Sequence, residues 1–181
     1  MKMQFAIRNE ISGSEIKSIR KKLKLTQQNF ATFLNVSKKT VENWESKTEP
    51  INGSIVTLLH ILNENPSLIQ YYSIPDKKYP LRLWYMFKNE VCTIIDVDEK
   101  NQVIELHNYT KHNLFRAFGV NLEPTYEDYE EFLRSRCFPE SRDKLKLVLN
   151  DLDLPFYDPM LIIEKTQGRM AEDDFWIRIE R

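Results

Sequence analysis

The sequence predicts an all-α domain of about five helices over residues 1–70, a linker over 71–80, and an α+β domain over 81–181 with a small antiparallel sheet and three or so helices. Three observations lead there. Residues 14–65 carry apolar residues at helical spacing, with Ser, Thr and Asn at the starts and no alternating strand pattern. The stretch NPSLIQYYSIPDKKYP then brings three prolines, Pro66, Pro75 and Pro80, which break helices and favour an extended connection. Beyond it, short runs rich in β-branched and aromatic residues alternate with turn-like sequences.

In the first domain, LTQQNFATFLNVSKKTVENWESK reads as two helices and a tight turn. Thr26 caps the first, which turns Phe30, Ala31, Phe33 and Leu34 inward. Asn35 opens the turn, where a left-handed residue is needed and Asn tolerates that conformation. Ser37 caps the second helix. At 100° per residue, Val41 and Trp44 share its inner face with Ser37, while Lys39 and Asn43 project outward, flanked by Lys38 and Thr40. Lys donates to guanine, Asn pairs with the adenine edge, and Thr touches a thymine methyl or a phosphate. The pattern is that of a helix-turn-helix reading double-stranded DNA, with Thr26, Gln27, Gln28 and Lys47 placed to hold phosphates.

In the second domain, LRLWYMF, VCTIIDV and VIELHN form a meander across the turns KNE and DEKNQ. Helices follow at TYEDYEEFLRSR, capped by Thr125 with Asp128, and at SRDKLKLVLNDL behind Pro139. Asp158 and Pro159 start a third helix that Gly168 ends, and FWIRI is a last strand.

Composition narrows the class of protein. A 41% apolar share with 12% aromatics suffices for packed cores. No run approaches the roughly 18 apolar residues of a membrane helix, and MKMQFAIRNEI has no apolar stretch before a cleavage site, so a cytoplasmic protein without membrane contact is expected. Residues 1–70 hold 10 Lys and Arg against 6 Asp and Glu, and residues 71–181 hold 16 against 21, which suggests different partners for the two halves. Cys92 and Cys137 form no CxxC pair and read as buried thiols. His107 and His112 lack a third ligand, Asp96 and Asp98 read as turn residues, and Asp173 and Asp174 as an acidic turn before the last strand. Four glycines make no phosphate loop, and no nucleophile stands beside a base. Neither metal, cofactor nor enzymatic activity is expected.

With Thr26, Gln27, Ala31, Asn35, Ser37, Val41, Trp44, Glu45 and Pro50 in place, the front domain resembles the phage-repressor (Xre-like) helix-turn-helix family, which implies a lambda-repressor-like fold. Over residues 14–69 it looks most like the DNA-binding domain of MqsA- and HigA-type antitoxins. The resemblance makes Lys38, Lys39 and Asn43 the main base readers, and departs at Lys47, where many relatives have Gly. It implies a homodimer on an inverted repeat, with Ile61 and Leu68 near the interface or Met3 and Phe5 in an N-terminal arm, unless these four are core.

In the second half, Arg136, Pro139, Arg142, Asp173, Phe175 and Trp176 resemble a pattern from the N-terminal side of HipA-type kinases. The given sequence stops at Arg181, just past that pattern, without the kinase's nucleotide-binding region. The resemblance therefore implies a split, HipBST-like arrangement: an autoregulating antitoxin and repressor whose second half neutralises a HipA/HipT-like kinase toxin. Arg136, Phe138, Arg142, Phe156 and Trp176 are the expected partner-binding residues. The alternative is a phage or mobile-element repressor whose second half inhibits a host defence protein, as in anti-CRISPR proteins, or senses a ligand.

Overall fold

The computed structural model describes residues 3–181, which divide into two compact units between Ile74 and Pro75. In the first, β1 (Glu10–Ile11), α1 (Gly13–Lys22), α2 (Gln27–Phe33), α3 (Lys38–Ser46), β2 (Ile51–Asn52), α4 (Ser54–Glu64) and α5 (Ser67–Tyr72) follow in order. Each of the first three helices starts on a side-chain cap: Ser12 with Glu15 in a reciprocal box, Thr26 accepting from Asn29, and Ser37 accepting from Thr40. Such caps contribute about 1 kcal/mol each. Ile16, Phe30, Ala31, Val41 and Leu59 are fully buried between the helices and form the core.

The all-α expectation needs one correction, because β1 and β2 pair antiparallel, with Ile11 opposite Ile51. Two residues are too few to show alternation in a sequence. Both isoleucines are buried, so the pairing closes the core beside α1. Helix α5 runs on to Tyr72, into the stretch read as linker. Met3 and Phe5 are 79% and 75% exposed and are not core, whereas Leu68 packs against it.

The second unit is a four-stranded antiparallel sheet in the order β5-β4-β3-β6, formed by β3 (Leu81–Phe87), β4 (Glu90–Asp98), β5 (Val103–Asn108) and β6 (Phe175–Glu180). Alternation sorts its side chains. Leu83, Tyr85, Ile95 and Ile177 pack with Tyr129 and Phe132 of α6 (Tyr126–Ser135) and with Ile162 and Ile163 of α8 (Pro159–Thr166). Trp84, Met86 and Ile94 form a smaller cluster from the alternate positions. The Thr125–Asp128 capping box and the Asp158 cap with Pro159 start α6 and α8. Helix α7 (Leu145–Asp151) begins later than the sequence suggests, because Lys144 sits in the left-handed region at φ 60°.

Buried guanidiniums fix this unit, and two sequence readings fall to them. Asp96 is a β4 residue rather than a turn residue: it accepts from Arg82 at 2.6 and 2.8 Å and from the Lys78 amide at 2.9 Å. Arg136 is 7% exposed and cannot contact a partner as expected. It donates to the Gly168 carbonyl (2.8 and 3.0 Å), to Asp173 (2.7 and 3.0 Å) and to the Phe175 carbonyl (3.1 Å), tying the end of α6 to the end of α8 and the start of β6. The Arg136 hydrogen bonds hold the Asp173 carboxyl below its ordinary range. Trp176 is also largely used internally, since its indole N–H donates to the Lys88 carbonyl at 2.7 Å. Phe138 and Trp176 are both partly buried, whereas Phe156, 58% exposed, and Arg142 are the most open of the expected patch.

Removing Arg136 takes the donor from the Gly168 and Phe175 carbonyls and leaves Asp173 with the Phe175 amide alone. Arg136→Met is expected to lower the stability of this unit by about 3 kcal/mol, whereas Arg142→Ala changes it by less than about 0.5 kcal/mol. Denaturant melts of the two variants check this.

Candidate DNA-reading surface

The turn between α2 and α3 is set by backbone geometry. The Leu34 amide donates to Phe30 O at 3.0 Å and the Val36 amide to Ala31 O at 2.9 Å, which requires Asn35 to turn left-handed, at φ 54°. The chain then enters α3 at Ser37. Val41 is fully buried under the helix, and Trp44 lies at the core's edge, partly buried beside Leu34, Val36 and Ile55.

Lys39 and Asn43, one turn apart, stand exposed on the opposite side, the Lys39 side chain at 78%. Lys38 is also exposed, and Thr40 is partly covered because its hydroxyl bonds to Ser37 Oγ at 2.8 Å. Gln28 and Lys47 are exposed, and the Thr26 hydroxyl is occupied by its cap bond to Asn29. Gln27 has a second role beside the expected one, since its side-chain amide donates to Glu45 at 2.9 Å, which leaves its other N–H for a phosphate.

That bond belongs to a lock which sequence reasoning missed. Arg20 of α1 donates to both Glu45 oxygens (2.6 and 3.1 Å) and to the Leu25 carbonyl (2.9 Å), so one buried guanidinium joins α1, the α1–α2 turn and α3. Burial alone would raise the Glu45 pKa, but hydrogen bonds from Arg20 and Gln27 outweigh it and hold the carboxyl below its ordinary value. The Glu45 hydrogen bond raises Arg20 in turn. Periodicity held a signal: Ile16, Ile19, Arg20 and Leu23 make one apolar stripe, and a charge within such a stripe calls for a buried partner.

Gly13 completes the fit. A Cβ there would overlap the Trp44 carbonyl oxygen and crowd Lys47 O and Glu45 O at 3.0 and 3.1 Å, so only glycine lets α1 start against the end of α3. Glu42, also missed, stands among the outward residues, 3.4 Å from the Lys38 ammonium and 4.0 Å from that of Lys39. Its spacing of four and three residues from these lysines is the signal in the sequence that would have found it.

Among the described residues, no cluster of three or more His, Cys, Asp or Glu could hold a metal, and no helix is long and apolar enough to cross a membrane. Residues 16–68 match the family model described as Helix-turn-helix. A stretch of 61 residues is 38% identical to Antitoxin HigA-2 of Vibrio cholerae, covering 34% of this chain and 59% of that relative's length. The chain therefore carries a helix-turn-helix domain similar to part of an antitoxin.

Glu45→Gln leaves Arg20 charged and buried without a counter-ion, and is expected to cost about 3 kcal/mol at pH 7. Because the folded pKa of Glu45 is depressed, its contribution is complete above the ordinary carboxylate range and is lost as pH falls through the folded value. The stability gap between wild type and variant should narrow on acidification. Thermal melts between pH 7 and pH 3 would show it, and a constant gap would contradict the assignment.

Proposed function

We propose that the chain is a DNA-binding repressor of the antitoxin class, in which the first unit reads an operator and the second holds a protein toxin. The observation that carries the reading is the exposed Lys39–Asn43 edge of α3, whose roll is fixed by the Arg20–Glu45 lock. An α-helix fits the major groove, where Lys39 donates to guanine O6 and N7 and Asn43 pairs with adenine N6 and N7. Lys38 reaches a neighbouring base or phosphate, while Gln28 and Lys47 set the register from the backbone. Glu42 restrains both lysines and repels phosphates, which favours a site where they find base edges.

One module makes few base contacts, so the active form is a homodimer on half-sites about one helical turn apart. Ile61 of α4 is 43% exposed and supplies an apolar contact for that dimer. For the second unit, the similarity to an antitoxin supports a toxin partner, and the resemblance of its Arg-Pro-Arg and Asp-Phe-Trp pattern to HipA-type kinases makes a kinase toxin our choice. Phe156 and Arg142 are its exposed contact residues, with Phe138 and Trp176 half-buried and Arg136 in the interior.

In a mobility-shift assay with the DNA upstream of its own gene, the full chain should bind with affinity that falls steeply with salt. Lys39→Ala and Asn43→Ala should each cost about 1 to 3 kcal/mol at the specific site, and Glu42→Ala should tighten non-specific binding. Salt-indifferent binding would contradict the reading. Co-expression with the neighbouring gene product tests the second half: co-purification and relief of toxicity are expected, and Phe156→Asp should weaken both.

A further inference from the structure

The stretches 136–142 and 169–172 lie about thirty residues apart, yet they converge on one cavity of about 210 Å³ in the second unit. Arg136 at its base is neutralised by Asp173 and by backbone carbonyls. Arg142 and Arg169 on its walls have no carboxylate within ion-pair distance among the described residues. Each guanidinium is instead held near an aromatic ring, Arg142 at 5.9 Å from the centre of Phe138 and Arg169 at 5.0 Å from that of Trp176. Aromatic stacking orients a guanidinium while leaving its N–H groups free to bind. Arg169 spends one of these on the Gln167 side chain, at 3.1 Å.

The carbonyls at the end of α8 do not need these two arginines. Ile162 O accepts from Thr166, Ile163 O from the Gln167 amide, and Gly168 O from Arg136. Glu172 is the one carboxylate among the wall residues, against two unneutralised guanidiniums. The local excess is positive within a half that carries 16 cationic against 21 anionic residues, and a cavity wall concentrates that field.

We propose that this cavity binds a phosphoryl group. Its volume is below the roughly 300 Å³ at which pockets for drug-sized ligands begin, so it suits a group of a few heavy atoms. A carboxylate is satisfied by a single guanidinium fork, whereas a dianionic phosphoryl group with three acceptor oxygens matches two. The group arrives either as free phosphate or on a phosphorylated side chain. The site does not depend on the DNA-reading role of the first unit or on the identity of any toxin.

Isothermal titration of the full chain with inorganic phosphate, with a short phosphoserine peptide, and with the same peptide unphosphorylated tests the proposal. Saturable 1:1 binding is expected with at least one phosphate-bearing probe and not with the plain peptide. Tighter binding of the phosphopeptide than of phosphate assigns a protein-borne group, and equal or weaker binding assigns free phosphate. Arg142→Gln and Arg169→Gln should each weaken binding about tenfold or more, as loss of a charge-assisted hydrogen bond does, and the double variant should abolish it with circular dichroism unchanged. Glu172→Gln should tighten it. No saturable binding of either phosphate probe would overturn the proposal, as would binding that survives in the double variant but is lost on Lys39→Ala, which would place the phosphate on α3.

Discussion

The first unit depends on one buried ion pair. A carboxylate and a guanidinium taken out of water cost several kcal/mol in lost hydration, which their attraction repays only with good geometry and further hydrogen bonds. Here the geometry is bidentate, and Leu25 O and Gln27 supply the further bonds. An apolar replacement could be as stable, but it would not specify the roll of α3 about its own axis. Roll is what decides whether Lys39 and Asn43 stand outward, and Gly13 fixes the remaining freedom by admitting α1 against the end of that helix.

The second unit repeats the device with different partners. Arg82 ties β3 to Asp96 of β4 and to Pro75 O, and Arg136 ties two helix ends to the last strand. A guanidinium suits such junctions because its planar fork satisfies several acceptors at once, and each acceptor would otherwise be a buried polar group without a partner. Where the fork is consumed in this way the arginine is structural. Arg142 and Arg169 differ in having no such set of acceptors.

Local chemistry was legible in the sequence. Thr26, Ser37, Thr125 and Asp158 act as caps because an oxygen at the right offset meets a free amide within the same turn. Asn35 turns left-handed for an equally local reason. Contacts between distant residues were not legible. Arg20 and Glu45 are 25 residues apart, Arg136 and Asp173 are 37 apart, and nothing in either sequence neighbourhood names its partner. For the same reason the sequence does not show that Gln27 donates to Glu45, that Arg136 is buried or that Asp96 accepts from Arg82. Trp176 and Phe138 show a different limit: an aromatic side chain near a pattern is equally suited to a core and a contact, and only packing separates the two.

The central claim, that α3 reads base edges from a fixed roll, is tested most directly by methylation interference on the DNA upstream of the gene. The account predicts that guanine N7 methylation blocks binding of the full chain at positions in two half-sites about one helical turn apart, and that Lys39→Ala removes this interference while the protein still binds weakly through phosphates. Binding that is insensitive to guanine methylation, or an interference pattern unchanged in Lys39→Ala, would contradict it.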